Sequence, residues 1–493
     1  MIEKTNLDEI QNYLVDSSNL KGTCEKVLIP ENLTELVNII KHCYLNDIPY
    51  TISGGGTGLV GGRVPFDGVL ISTEKLNGIL DFDPQNQFVV VEPGVVRKDL
   101  DEFLESKGFF LPPNPTETNS FIGGNLACNS SGSRTFKYGT MRDYVLALDV
   151  VLPDGETVSL QRSEVERVRN SHFSYYLPSG KTIEFVIPAL PYVNSSKNTA
   201  GYYLHKGMHF LDLFIGSEGT LGTIVKAKLK VERLPEKVIG FIIFFNELAS
   251  ALDFITKTKG IIKAETENGK KKAYISPRLI EYFDRNSLLL VSDDYPQIPK
   301  NVECAIWVEQ ECSNNDVEEI LLSLWLEHIS KFTPFASETW VATQDHEHRR
   351  FADFRHLIPT RVFELVAKSN YHKIGSDVAV NDNVFANYYL RLTKMLENSK
   401  LQYFVWGHFG NSHLHLNLIP RNENENRLAQ QIYDEHIIDA ISLGGTYSAE
   451  HGTGKLKRKY LEMMYRKDIV QKMKEIKLKF DPKNLLGRGN LFF

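Results

Sequence analysis

The stretch WGHFGNSHLHLNLIP, residues 406–420, places three imidazoles, His408, His413 and His415, within eight residues. An imidazole can ligate a metal, move a proton or pack as a hydrogen-bonded core group, and spacing is the first guide to which. From His413 onward polar and apolar residues alternate: His413, His415 and Asn417 share one face, Leu414, Leu416 and Leu418 the other. A period of two predicts a half-buried strand whose polar face carries ligand-capable nitrogens. Two readings stand at this point: metal ligands, or core histidines held by hydrogen bonds without a metal.

A second stretch, SGGGTGLVGG over residues 53–62, gathers Gly54, Gly55, Gly56, Gly58 and Gly61 with Gly62 next. Glycine at this density lets successive backbone N–H groups converge on an anion such as a pyrophosphate. A P-loop would end in Gly-Lys-Ser/Thr, which is absent, and Leu59 occupies the third glycine position of a Rossmann fingerprint. Two further regions, 112–145 and 212–224, supply more glycine with Thr, Ser and Asn. Three such regions could wrap an extended cofactor carrying a diphosphate and a flat ring.

The bulk composition excludes several other classes. A net charge of −6 over 493 residues, with no basic arm or face, argues against nucleic acid as a partner. The one basic cluster, Lys270 to Lys272, reads as a solvated loop. Cys24, Cys43, Cys128, Cys304 and Cys312 are scattered without a C-x-x-C pair, which suits a reducing compartment and excludes an iron–sulfur cluster. The acidic N-terminus does not read as a signal peptide, and the most apolar run, VIGFIIFF, is too short to cross a bilayer. The expectation is a cytoplasmic protein, or one peripheral to a membrane, without a transmembrane segment.

The elements that must carry these residues follow from periodicity. Asn32 reads as an N-cap with Glu35 at N3, ahead of Leu33, Leu36, Ile39, Ile40 and Cys43 at helical spacing. Strands are expected at 50–53, 69–72, 87–94, 145–152 and 223–231. After about residue 237 glycine thins out, and VIGFIIFFN, a helix near 246–258 and ECAIWVEQE predict an α+β domain with an antiparallel sheet. A helix at 427–442 and a terminal helix complete the chain.

In this order, GGGTGL, IGGN…KYGTMRDYV, GSEGTLG, GHFGNSHLHLN, EHGTG and a DP tail resemble the FAD-linked oxidoreductases of the vanillyl-alcohol-oxidase/p-cresol-methylhydroxylase superfamily. The nearest likeness is the branch with cytochrome-type D-lactate dehydrogenase, D-2-hydroxyglutarate dehydrogenase and the flavin subunit of glycolate oxidase. The resemblance implies an α+β fold: a two-subdomain FAD-binding domain plus an α+β cap domain with an antiparallel sheet. The divisions expected are an N-terminal helical segment (1–23), the FAD domain (24–236), the cap (237–445) and a segment returning to the FAD domain (446–493).

By resemblance, FAD is held by Ser53, Gly54, Gly55, Gly56, Thr57, Gly58, Leu59, Gly61 and Gly62. Pro113, Thr116, Gly123, Gly124, Asn125, Asn129, Gly132, Tyr138, Gly139, Glu218, Gly219, Gly222 and Ile224 join them. No histidine stands where some relatives bond the flavin, so noncovalent FAD is expected. The metal ligands of relatives correspond to His408, His415 and Glu450, and two imidazoles with one carboxylate suit zinc. His451 matches the general base, and Arg355 the carboxylate clamp, with Lys373 and Asn417 as further substrate contacts.

The function implied is oxidation of a D-2-hydroxy acid, lactate-like, 2-hydroxyglutarate-like or glycolate, to the 2-oxo acid. Electrons would pass to an external quinone, cytochrome or electron-transfer flavoprotein, and a homodimer is left open. Rival readings are a sugar, aldonolactone or alkyl-glycerone-phosphate flavoenzyme, or a flavin subunit active only in a larger complex. The chain departs from the branch at Asn411-Ser412-His413 (for Asp-Gly-Asn), at Ser53 (for Arg), at Ser130-Ser131 (for Ala-Gly) and at Gly487-Arg488-Gly489-Asn490. His413 is thereby either a fourth ligand or a donor behind the ligands.

Overall fold

Asn32 caps the helix Leu33–Leu45 by accepting from Glu35 N at 3.0 Å, and Leu36, Ile39, Ile40 and Cys43 form its buried face. The Glu35 carboxylate accepts from Glu31 N at 2.9 Å, one residue ahead of the expected capping-box partner. The computed structural model of the chain describes residues 1–162, 171–267, 273–369 and 371–493. The Lys270–Lys272 cluster lies outside the described residues. The helix Leu33–Leu45 packs beside a small sheet in which Val69–Ser72 runs parallel to both Lys26–Ile29 and Tyr50–Ser53. The N-terminus, expected to be helical, opens with the strand Ile2–Lys4, which pairs antiparallel with Lys26–Ile29 at the sheet edge.

A five-stranded antiparallel sheet follows, in the order Ile79–Asp83, Phe88–Val91, Thr223–Lys230, Val145–Val151, Thr157–Gln161. The expected strands at 87–94, 145–152 and 223–231 are therefore present, the first trimmed at both ends and the other two by one residue at the C-terminal end. The glycine loop leaves the end of Tyr50–Ser53, and the GSEGTLG turn enters Thr223–Lys230. The two glycine-rich loops thus lie at strand ends.

The second half is dominated by an eight-stranded antiparallel sheet. Lys237–Phe245 and Cys304–Cys312 pair over nine residues near one edge, and Leu279–Asp284 joins them to Gln402–Gly407 and His413–Ile419. The apolar run VIGFIIFF is a buried strand of this sheet, and no described helix is long and apolar enough to cross a membrane. The helix expected near 246–258 spans Leu248–Glu267, and the one expected at 427–442 spans Glu423–Ser442. The strand His413–Ile419 is buried on both faces rather than on one. Leu414, Leu416 and Leu418 enter the main core, while the histidine face is covered by the segments that complete the site.

Candidate active site

One cavity of about 760 Å³ lies between the glycine loops and the eight-stranded sheet. Gly54, Gly55, Gly56, Thr57, Gly58, Leu59, Gly62, Thr116, Gly123, Gly124, Asn125, Glu218, Gly219, Gly222 and Ile224 line it. Gly56 has φ +80°, and a Cβ there would stand 2.3 Å from the Arg63 guanidinium carbon. Arg63 ties the loop to the N-terminal segment, donating to Gly54 O at 3.2 Å, Ser53 Oγ at 3.3 Å and Val15 O at 2.9 Å. A guanidinium from ten residues downstream thus reaches Ser53.

The remaining predicted cofactor residues do not line the cavity; they shape its walls. Ser53 receives Arg63, Pro113 O receives Arg97, and Asn129 Oδ1 accepts from Arg142 N at 2.9 Å. Gly132 O accepts from Lys197 Nζ at 3.0 Å, Tyr138 donates to Glu311, and Gly139 closes the short helix Thr135–Tyr138. Gly61 abuts Leu20.

Glu218 clamps the two late loops together. Its carboxylate accepts from Thr453 N at 2.6 Å and Gly454 N at 2.5 Å, and burial pushes its carboxyl up to about 7 despite those donors. Gly452, at φ +85°, permits the approach, since a Cβ there would stand 2.9 Å from that carboxylate.

The cavity wall fits a polar cofactor. Asp16 Oδ2, Asn125 Nδ2, Thr223 Oγ1 and Lys457 Nζ are buried on it with no hydrogen-bond partner among the described residues. Leaving such atoms unmatched costs about 1–3 kcal/mol each, so this mixture of donors and acceptors calls for a ligand bearing both. FAD, with its diphosphate, ribityl hydroxyls and ring, has that character.

At the sheet end of the cavity stand the histidines. His408 follows the strand Gln402–Gly407, a single 3₁₀ turn reverses the chain, and His415 emerges from the returning strand opposite Trp406. His408 Nε2 and His415 Nε2 lie 3.3 and 3.4 Å from Glu450 Oε1. Tetrahedral ligands at zinc bond lengths are separated by about 3.3–3.4 Å, so this donor set fits such an ion. His451 stacks on His415 at 5.2 Å between ring centroids. Its Nδ1 faces Asp377 Oδ2 at 3.6 Å and its Nε2 faces Glu450 Oε1 at 4.0 Å.

Behind these residues lies a buried ion network. His408 Nδ1 donates to Glu281, whose other oxygen is 3.5 Å from Arg355 Nε. Burial opposes protonation of His408, but the Glu281 charge outweighs it and raises its pKa. Glu450 Oε2 accepts from Lys197 Nζ at 3.0 Å and Ser131 Oγ at 2.8 Å. Burial disfavours the Glu450 charge, yet Lys197 and the histidines hold its carboxyl well below the usual range. Asp377 accepts from His413 Nε2 at 2.8 Å, His451 N at 2.7 Å and Ser448 Oγ at 3.1 Å. Lys197 Nζ lies 3.4 Å from His413 Nδ1, and His413 groups with His408, His415 and Glu450, their ligand atoms all within 4.8 Å of one another. Burial brings His413, His415 and His451 each down to about 4.

Arg355, Lys373 and Asn417 line the same cavity. Lys373 Nζ donates to Asn417 Oδ1 at 2.7 Å, and burial lowers its ammonium to about 8. Glu281, Asp377, Lys197 and Lys457 are site residues that spacing did not reveal. A carboxylate within the apolar strand LIEYFD was a usable signal for Glu281; Lys197, in NSSKNTAG, had none.

A glycine-lined cofactor cavity that ends on a histidine–carboxylate cluster defines a flavin-dependent oxidoreductase. The model of the FAD binding domain matches residues 24–161, and that of the C-terminal domain of FAD linked oxidases matches residues 268–491. Glycolate oxidase subunit GlcD of Bacillus subtilis (strain 168) is 30% identical over 476 residues, covering 95% of this chain and 89% of that protein. D-lactate dehydrogenase of Anaerostipes hadrus is 30% identical over 499 residues, covering 99% and 94%. D-lactate dehydrogenase [cytochrome] 1, mitochondrial, of Saccharomyces cerevisiae is 25% identical, covering 94% and 72%. Among solved structures, alkyldihydroxyacetonephosphate synthase superposes with TM-score 0.64 at 16% identity, over 95% of this chain and 77% of that one, a likeness of fold alone. The chain belongs to the FAD-linked oxidoreductases of the vanillyl-alcohol-oxidase/p-cresol-methylhydroxylase superfamily, and it is an FAD-binding enzyme.

Proposed function

We propose that the protein oxidises a D-2-hydroxy acid to the 2-oxo acid with noncovalently bound FAD. The observation that carries this reading is that one cavity is walled by the glycine loops and by His415, Glu450, His451, Arg355, Lys373 and Asn417. FAD, when bound, supplies the two-electron acceptor for the hydride that leaves C2. Arg355 and Lys373 bind the substrate carboxylate, the first by a planar fork, the second as a point charge beside Asn417. His408, His415 and Glu450 would hold a divalent ion, zinc by ligand type, which supplies Lewis-acid polarisation of the hydroxyl. His451, oriented by Asp377 at Nδ1, takes the hydroxyl proton at Nε2. The two electrons then leave for an external acceptor, a quinone, cytochrome or electron-transfer flavoprotein.

A second reading, a flavin subunit that works within a larger assembly, follows from the B. subtilis relative, which is a subunit of glycolate oxidase. Anaerobic titration of the purified chain with D- and L-lactate, 2-hydroxyglutarate and glycolate tests both. Bleaching of the flavin by a D-acid, lost on chelation, supports the enzyme. Bleaching without turnover on artificial acceptors favours the subunit. A yellow protein that no 2-hydroxy acid bleaches removes the hydroxy-acid reading.

A further inference from the structure

The helix Asp345–Ala367 sends Arg355, Pro359, Phe363 and Val366 to the cavity wall. Spacings of four, four and three residues keep them on one face, each step about 4.5–6 Å further along the axis. Along that face the chemistry changes. Arg355 is tied to the histidine cluster through Glu281, at 3.5 Å; the three positions beyond it are apolar. Ile374 and Trp406 add apolar surface from the sheet. Lys373 stands where the two characters meet, with Nζ 2.7 Å from Asn417 Oδ1 and 5.0 Å from the centre of the Phe363 ring.

The other lysines and arginines of the cavity lie away from this apolar face or beside a carboxylate. Arg63 donates to backbone carbonyls at the glycine loop, Lys457 faces Asp377 at 3.9 Å, and Lys459 pairs with Asp434 at 3.0 Å. Arg355 stands at the histidine end and Lys373 beside Phe363, while Pro359, Phe363 and Val366 themselves offer a carboxylate no hydrogen-bond donor. An apolar chain would cover Pro359, Phe363 and Val366, and Phe363 is 49% exposed.

We infer that the substrate is a 2-hydroxy acid whose carbon chain beyond C2 is extended and apolar, a medium-chain alkyl or arylalkyl group. The inference rests on the hydroxy-acid reading of the same site. Pro359, Phe363 and Val366 are its specificity-determining residues.

The test uses the FAD-loaded protein and D-lactate, D-2-hydroxybutyrate, D-2-hydroxyhexanoate, D-2-hydroxyoctanoate, D-phenyllactate and D-2-hydroxyglutarate. Stopped-flow flavin bleaching gives the apparent second-order rate of reduction. The corresponding 2-oxo acids, read by perturbation of the flavin spectrum, give affinities independent of turnover. Expected is a rise of roughly four-fold per methylene from lactate to hexanoate, with phenyllactate above lactate and 2-hydroxyglutarate below hexanoate. Phe363→Ala should lower the octanoate-to-lactate ratio about ten-fold, and Phe363→Lys should raise 2-hydroxyglutarate relative to hexanoate. A flat or falling series, or 2-hydroxyglutarate as the best substrate, overturns the inference while leaving the hydroxy-acid reading standing. If none of the acids bleaches the flavin and none of the oxo acids binds, that reading falls and the inference with it.

Discussion

Two walls of the same cavity are made of different material. The flavin wall is mainly backbone: glycine N–H groups at strand ends, with side chains such as Arg63 and Glu218 bracing them from behind. The opposite wall is mainly side chain, and its charges come from segments far apart in sequence: Lys197, Glu281, Asp377, His408 and Glu450. A backbone site depends on conformation, so it tolerates many side chains but few Cβ atoms. An ion site depends on compensation, so removing one member leaves its partner charged and buried. The two walls should therefore fail in different ways.

The sharpest separation comes from His451→Ala. Flavin reduction by the hydroxy acid should fall by about 10²–10⁴-fold while FAD and metal contents stay at wild-type values, measured by stopped-flow, absorbance and elemental analysis. Equal loss of FAD would merge the two walls into one functional unit. Next in size, Lys197→Met leaves the Glu450 charge buried without its cation and should destabilise the fold by about 3–5 kcal/mol in denaturant unfolding. Adding Glu450→Gln should recover part of that loss, and strict additivity in this double-mutant cycle would show the pair uncoupled.

Glu281→Gln weakens the acceptor that orients His408, so metal affinity should drop by about 10–100-fold with flavin content unchanged. Gly56→Ala is the converse. It forces a Cβ onto Arg63 at a positive φ and should cost about 1–3 kcal/mol, seen as lost FAD at unchanged metal stoichiometry.

A pH-dependent contrast lies outside both walls, at the buried Glu309–Arg278 pair of 2.6 Å. Burial opposes the Glu309 charge, but Arg278 and His348 win and hold its carboxyl at about 2, below the usual 4.5. A depressed carboxylate adds stability above its unfolded pKa and loses it as pH falls from 4.5 toward 2. Glu309→Gln should flatten that part of the acid-unfolding curve.

Legibility followed the same division. Glycine crowding marked the cofactor loops because Gly is needed wherever backbone approaches a ligand closely, and Asn32 and Glu35 marked a helix start by local hydrogen bonding alone. The strand His413–Ile419 was visible by its period, yet its polar face could not be told from a solvated one until the covering segments were in place. His413 shows the limit most clearly. Its type suggested a ligand or a supporting donor, and only the tertiary structure shows that Asp377 and Lys197 meet its two nitrogens and that it stands with His408, His415 and Glu450.

By itself the sequence determined what local chemistry and order in the chain can carry. These are the flavin-binding loops, the strand periods, the histidine and EHGTG motifs, and through them the family. Tertiary structure alone decided which charges meet. Lys197 lies 253 residues from Glu450, and Glu281 lies 127 residues from His408. Coulombic compensation acts through space over a few ångströms, so no spacing along the chain records it. The apolar face of Pro359, Phe363 and Val366 is the same kind of fact, an ordinary helical stripe until the fold turns it toward the cavity.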